Sequence, residues 1–211
     1  MKNYDNNVSV KIPVDSVYLE GILNIPKKSI GIVIFAHGSG SGRLSPRNNY
    51  VAEILREAEL GTLLFDLLTE GEDQIYQNRF DIDLLAERLK LVTEWVADSV
   101  NLKIGYFGAS TGSAAAIKAA VEVNGTISAF VSRGGRVDLA AAEISNLKVP
   151  ALLIVGGNDP EVLELNETAF DKIEADKKLE IISGASHLFE EKGSLEEAAR
   201  LAKEWFLKYL E

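Results

Sequence analysis

The apolar pattern of the chain alternates between two periods. Short hydrophobic runs closed by Gly, Pro, Asn or Asp predict strands over 8–15 and 17–26, joined at Asp15-Ser16 and ending at Pro26. The same signal recurs in GIVIFAHG (31–38), GTLLFDLL (61–68), 103–107, ISAFVSRGG (127–135), VPALLIVGG (149–157) and KLEIISGA (178–185). Between these runs the spacing becomes helical, in NNYVAEILREAEL (48–60), in FDIDLLAERLKLVTEWVADS (80–99) and in the residues after 110. Helical segments are expected between the later strands as well. The last segment, SLEEAARLAKEWFLKYLE (194–211), opens with Ser194 and Glu197 at capping-box spacing and predicts a closing helix. Its Leu195, Ala198, Leu201, Ala202, Trp205 and Phe206 form one apolar face, which reads as core. Strands apolar at every position, alternating with helices, predict an α/β architecture: a mostly parallel sheet with helices on both faces. No repeat, low-complexity tract or linker breaks the pattern, so 1–211 reads as one domain.

In such a sheet ligands sit beyond the carboxyl ends of the strands. The polar residues at those ends are His37 to Arg43, Asp66, Ser110, Arg133 to Arg136, Asn158-Asp159 and Ser186-His187. Among them Gly108-Ala109-Ser110-Thr111-Gly112 fits G-x-S-x-G, between an apolar strand and an alanine-rich helix. A serine on so sharp a strand-to-helix turn exposes its hydroxyl at the positive end of a helix dipole. The small residues around it also suit an ordinary strand-turn-helix, so the reading needs partners.

A serine hydroxyl becomes a nucleophile when a base takes its proton, and that base is usually a histidine held by a carboxylate. Only two histidines are present. Hydrolases with such an elbow supply their partners in the order Ser, acid, His, which selects His187. His37 reads as a loop-shaping residue bonded to backbone. Asp159, one strand before His187, is the expected acid; Asp138 is the other candidate near a strand end, while Asp171 and Asp176 lie on or beside a helix. The simpler role for Asp159 is a helix N-cap before Glu161. The oxyanion needs donors, expected from the backbone N–H groups of Thr111 and Ser39, the latter in the glycine-rich HGSGSG loop.

Composition narrows the chemistry. The 211 residues carry 22 basic and 32 acidic side chains, a net charge of −10, which disfavours nucleic acid and anionic membranes as partners. The absence of cysteine excludes disulfides, thiolate metal sites and a cysteine nucleophile, and fits a reducing compartment. MKNYDNNVSV lacks the apolar core of a signal peptide, and no apolar run approaches the roughly 18 residues of a membrane span, so a cytoplasmic protein is expected. Against this acidic background four of the eight arginines fall in GRLSPR and SRGGR, at strand ends: Arg43, Arg47, Arg133 and Arg136. They either pair with local carboxylates such as Asp66, Asp138 or Glu70, or bind a negative substrate.

FAHGSGSGRLSPRNNYVAEIL, FGASTGSAAA, LLIVGGND and GASHLFEEKGSLEEAARLA together resemble the dienelactone-hydrolase-like branch of the α/β-hydrolase superfamily, from about residue 18 to the C-terminus. More narrowly, they are similar to the small hydrolase domain sometimes fused to a phosphoribosyltransferase. The resemblance implies the eight-stranded α/β-hydrolase sheet, a triad of Ser110, Asp159 and His187, and an oxyanion hole at Ser39 and Thr111. It also implies arginines that hold a substrate carboxylate. True dienelactone hydrolases use cysteine as nucleophile, so their substrate does not carry over, and no phosphoribosyltransferase motif is present.

The expectation is therefore a serine hydrolase for small esters, thioesters or lactones, with no metal and no organic cofactor. Only 69–80, TEGEDQIYQNRF, is long enough to fold over the site, so little or no cap is expected. Nothing in the sequence sets an oligomeric state. A dinucleotide site at GSGSG, with Asp66 on a ribose, fits poorly because Arg43 occupies the third glycine position. A non-catalytic binding module on the same fold is the remaining alternative.

Overall fold

The computed structural model describes residues 6–211. Strands β1 (Val8–Val14) and β2 (Val17–Asn24) form an antiparallel hairpin, and β2 runs antiparallel to β4 (Leu60–Phe65). Every later pairing is parallel, through β3 (Gly31–Ala36), β5 (Lys103–Ala109), β6 (Ile127–Arg133), β7 (Ala151–Gly156) and β8 (Lys177–Ile182). The resulting order is β1-β2-β4-β3-β5-β6-β7-β8. The mostly parallel eight-stranded sheet is the one expected.

Helices α1 (Pro46–Glu57) and α6 (Ser194–Leu210) cover one face; α3 (Ile82–Ser99), α4 (Thr111–Glu122) and α5 (Pro160–Lys172) cover the other. A single turn, α2 (Glu70–Asp73), precedes α3. The pleat divides each strand between two cores. In β3, Val33 and Phe35 pack with α1 and α6, while Ile32, Ile34 and Ala36 pack with α3 and α4. Among the described residues no helix is long and apolar enough to cross a membrane.

Two elements depart from the pattern. Helix α1 spans Pro46–Glu57 rather than 48–60. Ser45 accepts a hydrogen bond from the Asn48 N–H and starts it with Pro46 at its first position, and the left-handed Glu59 (φ 60°) turns Leu60 into β4. The β6–β7 connection holds no α-helix. Two 3₁₀ turns, Val137–Ala140 and Ile144–Asn146, replace it, and they bury Val137, Ala140, Ile144 and Leu147. Gly134, at φ 54°, and Gly135 precede these turns, and Pro150 follows them.

The chain leaves β3 toward β4 and then returns to β3's other side as β5. That reversal opens a crevice at the carboxyl ends of β3 and β5, where the loop after His37 faces the turn at Ser110. Gly112 permits the close approach. A Cβ there would lie 2.1 Å from the Ala36 carbonyl oxygen and 2.5 Å from that of His37, which no side chain tolerates.

Gly112→Ala is accordingly expected to lose about 3 kcal/mol of stability, because backbone must shift to admit the methyl. Gly71→Ala, in α2 with nothing within 4 Å of the added carbon, should be neutral or gain about 0.5 kcal/mol. Urea denaturation measures both; a Gly112→Ala protein as stable as wild type overturns the close-approach argument.

Candidate active site

Ser110 stands between β5 and α4 with φ 51° and ψ −124°. Its N–H donates to the Arg133 carbonyl at 3.2 Å, and its own carbonyl accepts from Ser113 N–H and Arg136 N–H, both at 3.0 Å. The backbone is thus fixed from β6 and from α4 while the hydroxyl projects into the crevice. The hydroxyl lies 3.3 Å from His187 Nε2, and His187 Nδ1 lies 2.6 Å from Asp159 Oδ2. With Nδ1–H donating to the carboxylate, Nε2 is left to accept from Ser110 Oγ–H.

Asp159 occupies the N-cap position of α5, yet its side chain makes no cap hydrogen bond and reaches His187 instead. Asp138 chelates Arg136 in bidentate fashion at 2.9 and 2.8 Å, so it does not serve the histidine. The turn carrying His187 follows β8 and packs on the end of β7. A Cβ at Gly156 would sit 2.3 Å from the Ala185 carbonyl oxygen, so glycine lets β7 meet that turn. Buried below Ser110, the Ser132 hydroxyl donates to the Ser113 hydroxyl at 2.9 Å and joins β6 to α4.

His37 is held differently. Its Nδ1–H donates to the Gly38 carbonyl at 2.9 Å, and its Nε2 accepts from the Leu67 N–H at 3.0 Å. Both nitrogens are engaged with backbone, which fixes the neutral tautomer and joins the loops after β3 and β4. Burial is the main cause that lowers its pKa below 6.5.

The two expected oxyanion donors differ. Thr111, at the first position of α4, has an N–H that the helix itself cannot satisfy. The Ser39 N–H, in contrast, donates to Thr111 Oγ1 at 2.9 Å. Ser39 is therefore not a free donor, and can serve an oxyanion only by sharing or exchanging that bond. Nothing in the local sequence signals this contact, since 72 residues separate its partners.

The arginines also separate. Arg43 is bound to Asp66 and, at 2.7 Å, to Glu20, and its N–H donates to Asp66 Oδ1 at 2.7 Å. Arg136 is taken by Asp138. For these two the structure shows the local pairing with carboxylates that the sequence offered as the alternative to substrate binding. Arg47 makes one 3.2 Å contact with the exposed Glu190. Among the described residues Arg133 has no carboxylate partner and its buried Nη1 no partner of any kind; it is 8% exposed, and its Nη2 donates to Asn48 Oδ1 at 3.3 Å. Phe107 and Phe189 lie 5.9 and 5.8 Å from its guanidinium. Desolvation, and then repulsion from Arg47, bring its pKa down to about 10, so it stays charged at neutral pH. Asn48 escaped sequence reasoning because a polar residue in the first turn of a helix reads as exposed; it is 2% exposed.

Ser110, His187, Arg47 and Arg133 line one cavity of about 230 Å³. The 69–80 segment does not border it. A capping box between Thr69 and Glu72 and the Arg79–Asp73 pair hold that segment beside Gly38 and Gly40, leaving the serine uncapped.

The model of the dienelactone hydrolase family matches residues 49–211. A dienelactone hydrolase from Anabaena variabilis superimposes with a TM-score of 0.95 at 52% identity, over 99% of this chain and 100% of that one. Two curated proteins from strains of Mycobacterium tuberculosis, named putative phosphoribosyl transferases, are 51% identical over 204 residues. That alignment takes in 95% of this chain and 46% of theirs, so the chain spans about half the length of those relatives. An esterase from Pyrococcus furiosus shares the fold, with a TM-score of 0.80 at 20% identity over 98% of this chain and 92% of that one. The fold is that of the α/β-hydrolases.

His37 gives a pH dependence with a defined sign. A histidine whose pKa is lowered by folding binds its proton more readily in the unfolded chain. Its stabilisation is present above pH 6.5 and is lost as the pH falls through that value. Unfolding free energy should decline as the pH falls below 6.5, with a slope no steeper than about 1.4 kcal/mol per pH unit. His37→Gln, whose amide can keep both bonds without taking up a proton, should flatten that decline in urea titrations. An unchanged slope overturns the assignment.

Proposed function

The chain belongs to the dienelactone hydrolase family, and on that premise we propose that it hydrolyses small carboxylic esters or thioesters, lactones included, through an acyl-enzyme on Ser110. The observation that carries this reading is the unbroken relay from Asp159 through His187 to Ser110, with contacts of 2.6 and 3.3 Å.

The steps follow from the geometry. His187 Nε2 takes the Ser110 proton as Oγ attacks the substrate carbonyl, and Asp159 stabilises the imidazolium that forms. The Thr111 N–H, at the positive end of α4, faces the developing oxyanion; the Ser39 amide joins if it gives up the Thr111 hydroxyl. Each such donor is worth about 3 kcal/mol of barrier. The tetrahedral intermediate collapses, His187 returns the proton to the leaving oxygen or sulfur, and a water activated by the same ring releases the acid. No step calls on a metal or organic cofactor.

The uncapped cavity of about 230 Å³ suits small polar substrates better than long lipid chains. The unpartnered Arg133 supports substrates with a negative charge near the scissile bond, in line with the carboxylate that the family resemblance implies. With Arg43 and Arg136 neutralised locally, only Arg133 and Arg47 serve that role among the four strand-end arginines. The small soluble substrate is consistent with a cytoplasmic protein whose partners are neither nucleic acid nor membrane.

A fluorophosphonate should label wild type, with mass mapping placing the adduct on Ser110, and Ser110→Ala should abolish labelling. Label that survives the substitution sinks the assignment, and wild type that takes no label favours a non-catalytic binding module. For the acid, Asp159→Asn should lower kcat by about 10⁴ with Tm near wild type, because the ring loses its tautomer control. Asp138→Asn should leave kcat within a few-fold. The reverse ranking moves the acid to the loop after β6.

A further inference from the structure

The cavity beside Ser110 has more positive charge than one carboxylate can neutralise. Its wall holds two guanidinium groups, Arg133 and Arg47, together with Asn48, Ser41 and Ser45, and none of its lining residues is acidic. Arg133 is more than nine-tenths buried, and its Nη1 has no partner. Phe107 and Phe189 lie 5.9 and 5.8 Å from the guanidinium, and Arg133 borders the cavity with no carboxylate among the described residues to neutralise it. Arg47 and Arg133 repel one another across the cavity, and Arg47's 3.2 Å contact with the exposed Glu190 leaves most of its donors uncommitted. The cavity also meets the start of α1, a twelve-residue helix whose first N–H groups add partial positive charge.

We propose that this cavity binds a phosphate monoester, so that the ester or thioester attacked by Ser110 carries its phosphate against Arg133 and Arg47. This rests on Ser110 being the nucleophile; the phosphate is a recognition handle and is not transferred. A carboxylate brings one charge and two oxygens, which a single guanidinium satisfies in bidentate fashion. It would leave the second arginine still repelled in a partly buried space. A phosphate monoester brings nearly two negative charges at neutral pH and three terminal oxygens. Those oxygens match two guanidinium groups with the Ser41 and Ser45 hydroxyls and the Asn48 amide between them.

The surroundings favour one orientation. Across the Gly38–Ser41 loop lies a second cavity, of about 430 Å³, lined by Glu20, Asp66, Glu70 and Asp73 with Arg43 neutralised among them. A dianion is repelled from that side and drawn to the other. The scissile carbonyl then lies at Ser110, which lines the same cavity as the two arginines.

The test is calorimetric titration of the whole chain with methyl phosphate and with acetate at fixed ionic strength. At pH 7.5 methyl phosphate should bind at least tenfold more tightly than acetate. That advantage should shrink at pH 5.5, where the phosphate is mostly a monoanion (its second pKa is about 6). Arg133→Gln and Arg47→Gln should each weaken methyl phosphate at least fivefold. The half-buried Arg47 site keeps the test usable if Arg133→Gln folds poorly. Acetate binding as tightly as methyl phosphate, no methyl phosphate binding, or binding indifferent to both substitutions overturns the proposal. Fluorophosphonate labelling of wild type is scored separately: its failure removes the nucleophile while leaving the cavity's preference measured.

Discussion

Ser110 is held at φ 51° and ψ −124°, a conformation that costs a residue bearing a Cβ on the order of 1–3 kcal/mol. Three backbone hydrogen bonds, from Ser110 N–H to Arg133 and from Ser113 and Arg136 to the Ser110 carbonyl, over-determine it. Those bonds exist because β5 pairs with β3 on one side and β6 on the other, so the loops after all three strands converge on the same turn. Gly112 lets the start of α4 approach the Ala36 and His37 carbonyls, and the alanines of α4 allow the helix to lie close on the sheet. The strain at one residue is thus sustained by the packing of the whole sheet. The same packing aims a hydroxyl at His187 while leaving the N–H of Thr111 at the head of a helix.

Charge is arranged around that turn with equal economy. The protein carries a net −10, and most of its arginines are neutralised by nearby carboxylates: Arg43, Arg79, Arg88, Arg136 and Arg200 all have them. Arg133 does not, although burying an unpaired charge opposes folding by several kcal/mol before compensation. Phe107, Phe189 and Asn48 offset part of that cost. The remainder is a local instability beside Ser110, which the anion proposed above would relieve.

Much of this was legible in the residues themselves. The apolar runs of β3, β4 and β7 admit no solvent face, so they fixed the parallel sheet, and G-x-S-x-G with a later histidine pointed to the site. What was hidden depended on long-range neighbours. Asp159 had two local readings, and only the position of the His187 turn decides against the helix cap. The β6–β7 connection has apolar residues at helical spacing, yet it folds as two 3₁₀ turns that bury them. Four arginines at strand ends look alike in one dimension. Asp66 and Asp138 separate two of them, and Asn48, a residue with no sequence signal, accompanies the third. The Thr111 hydroxyl on the Ser39 amide was invisible for the same reason: 72 residues separate the two partners.

The two histidines show why partner chemistry, more than location, assigns a role. Each follows a strand, and each donates its Nδ1–H to an oxygen. For His37 that oxygen is the Gly38 carbonyl, and Nε2 is closed by the Leu67 N–H. Protonating Nε2 would turn an acceptor into a second donor aimed at another donor, in a buried place that disfavours charge. For His187 the oxygen belongs to a carboxylate, and Nε2 meets a hydroxyl. When that hydroxyl gives up its proton, the new charge on the ring lies against the negative charge of Asp159, and the contact strengthens as the serine oxygen becomes nucleophilic. A carbonyl partner offers only a dipole for that purpose. In the proposed acylation the carboxylate therefore acts by its charge in the transition state as well as by orienting the ring, and His37 could not replace His187 even if a serine stood beside it.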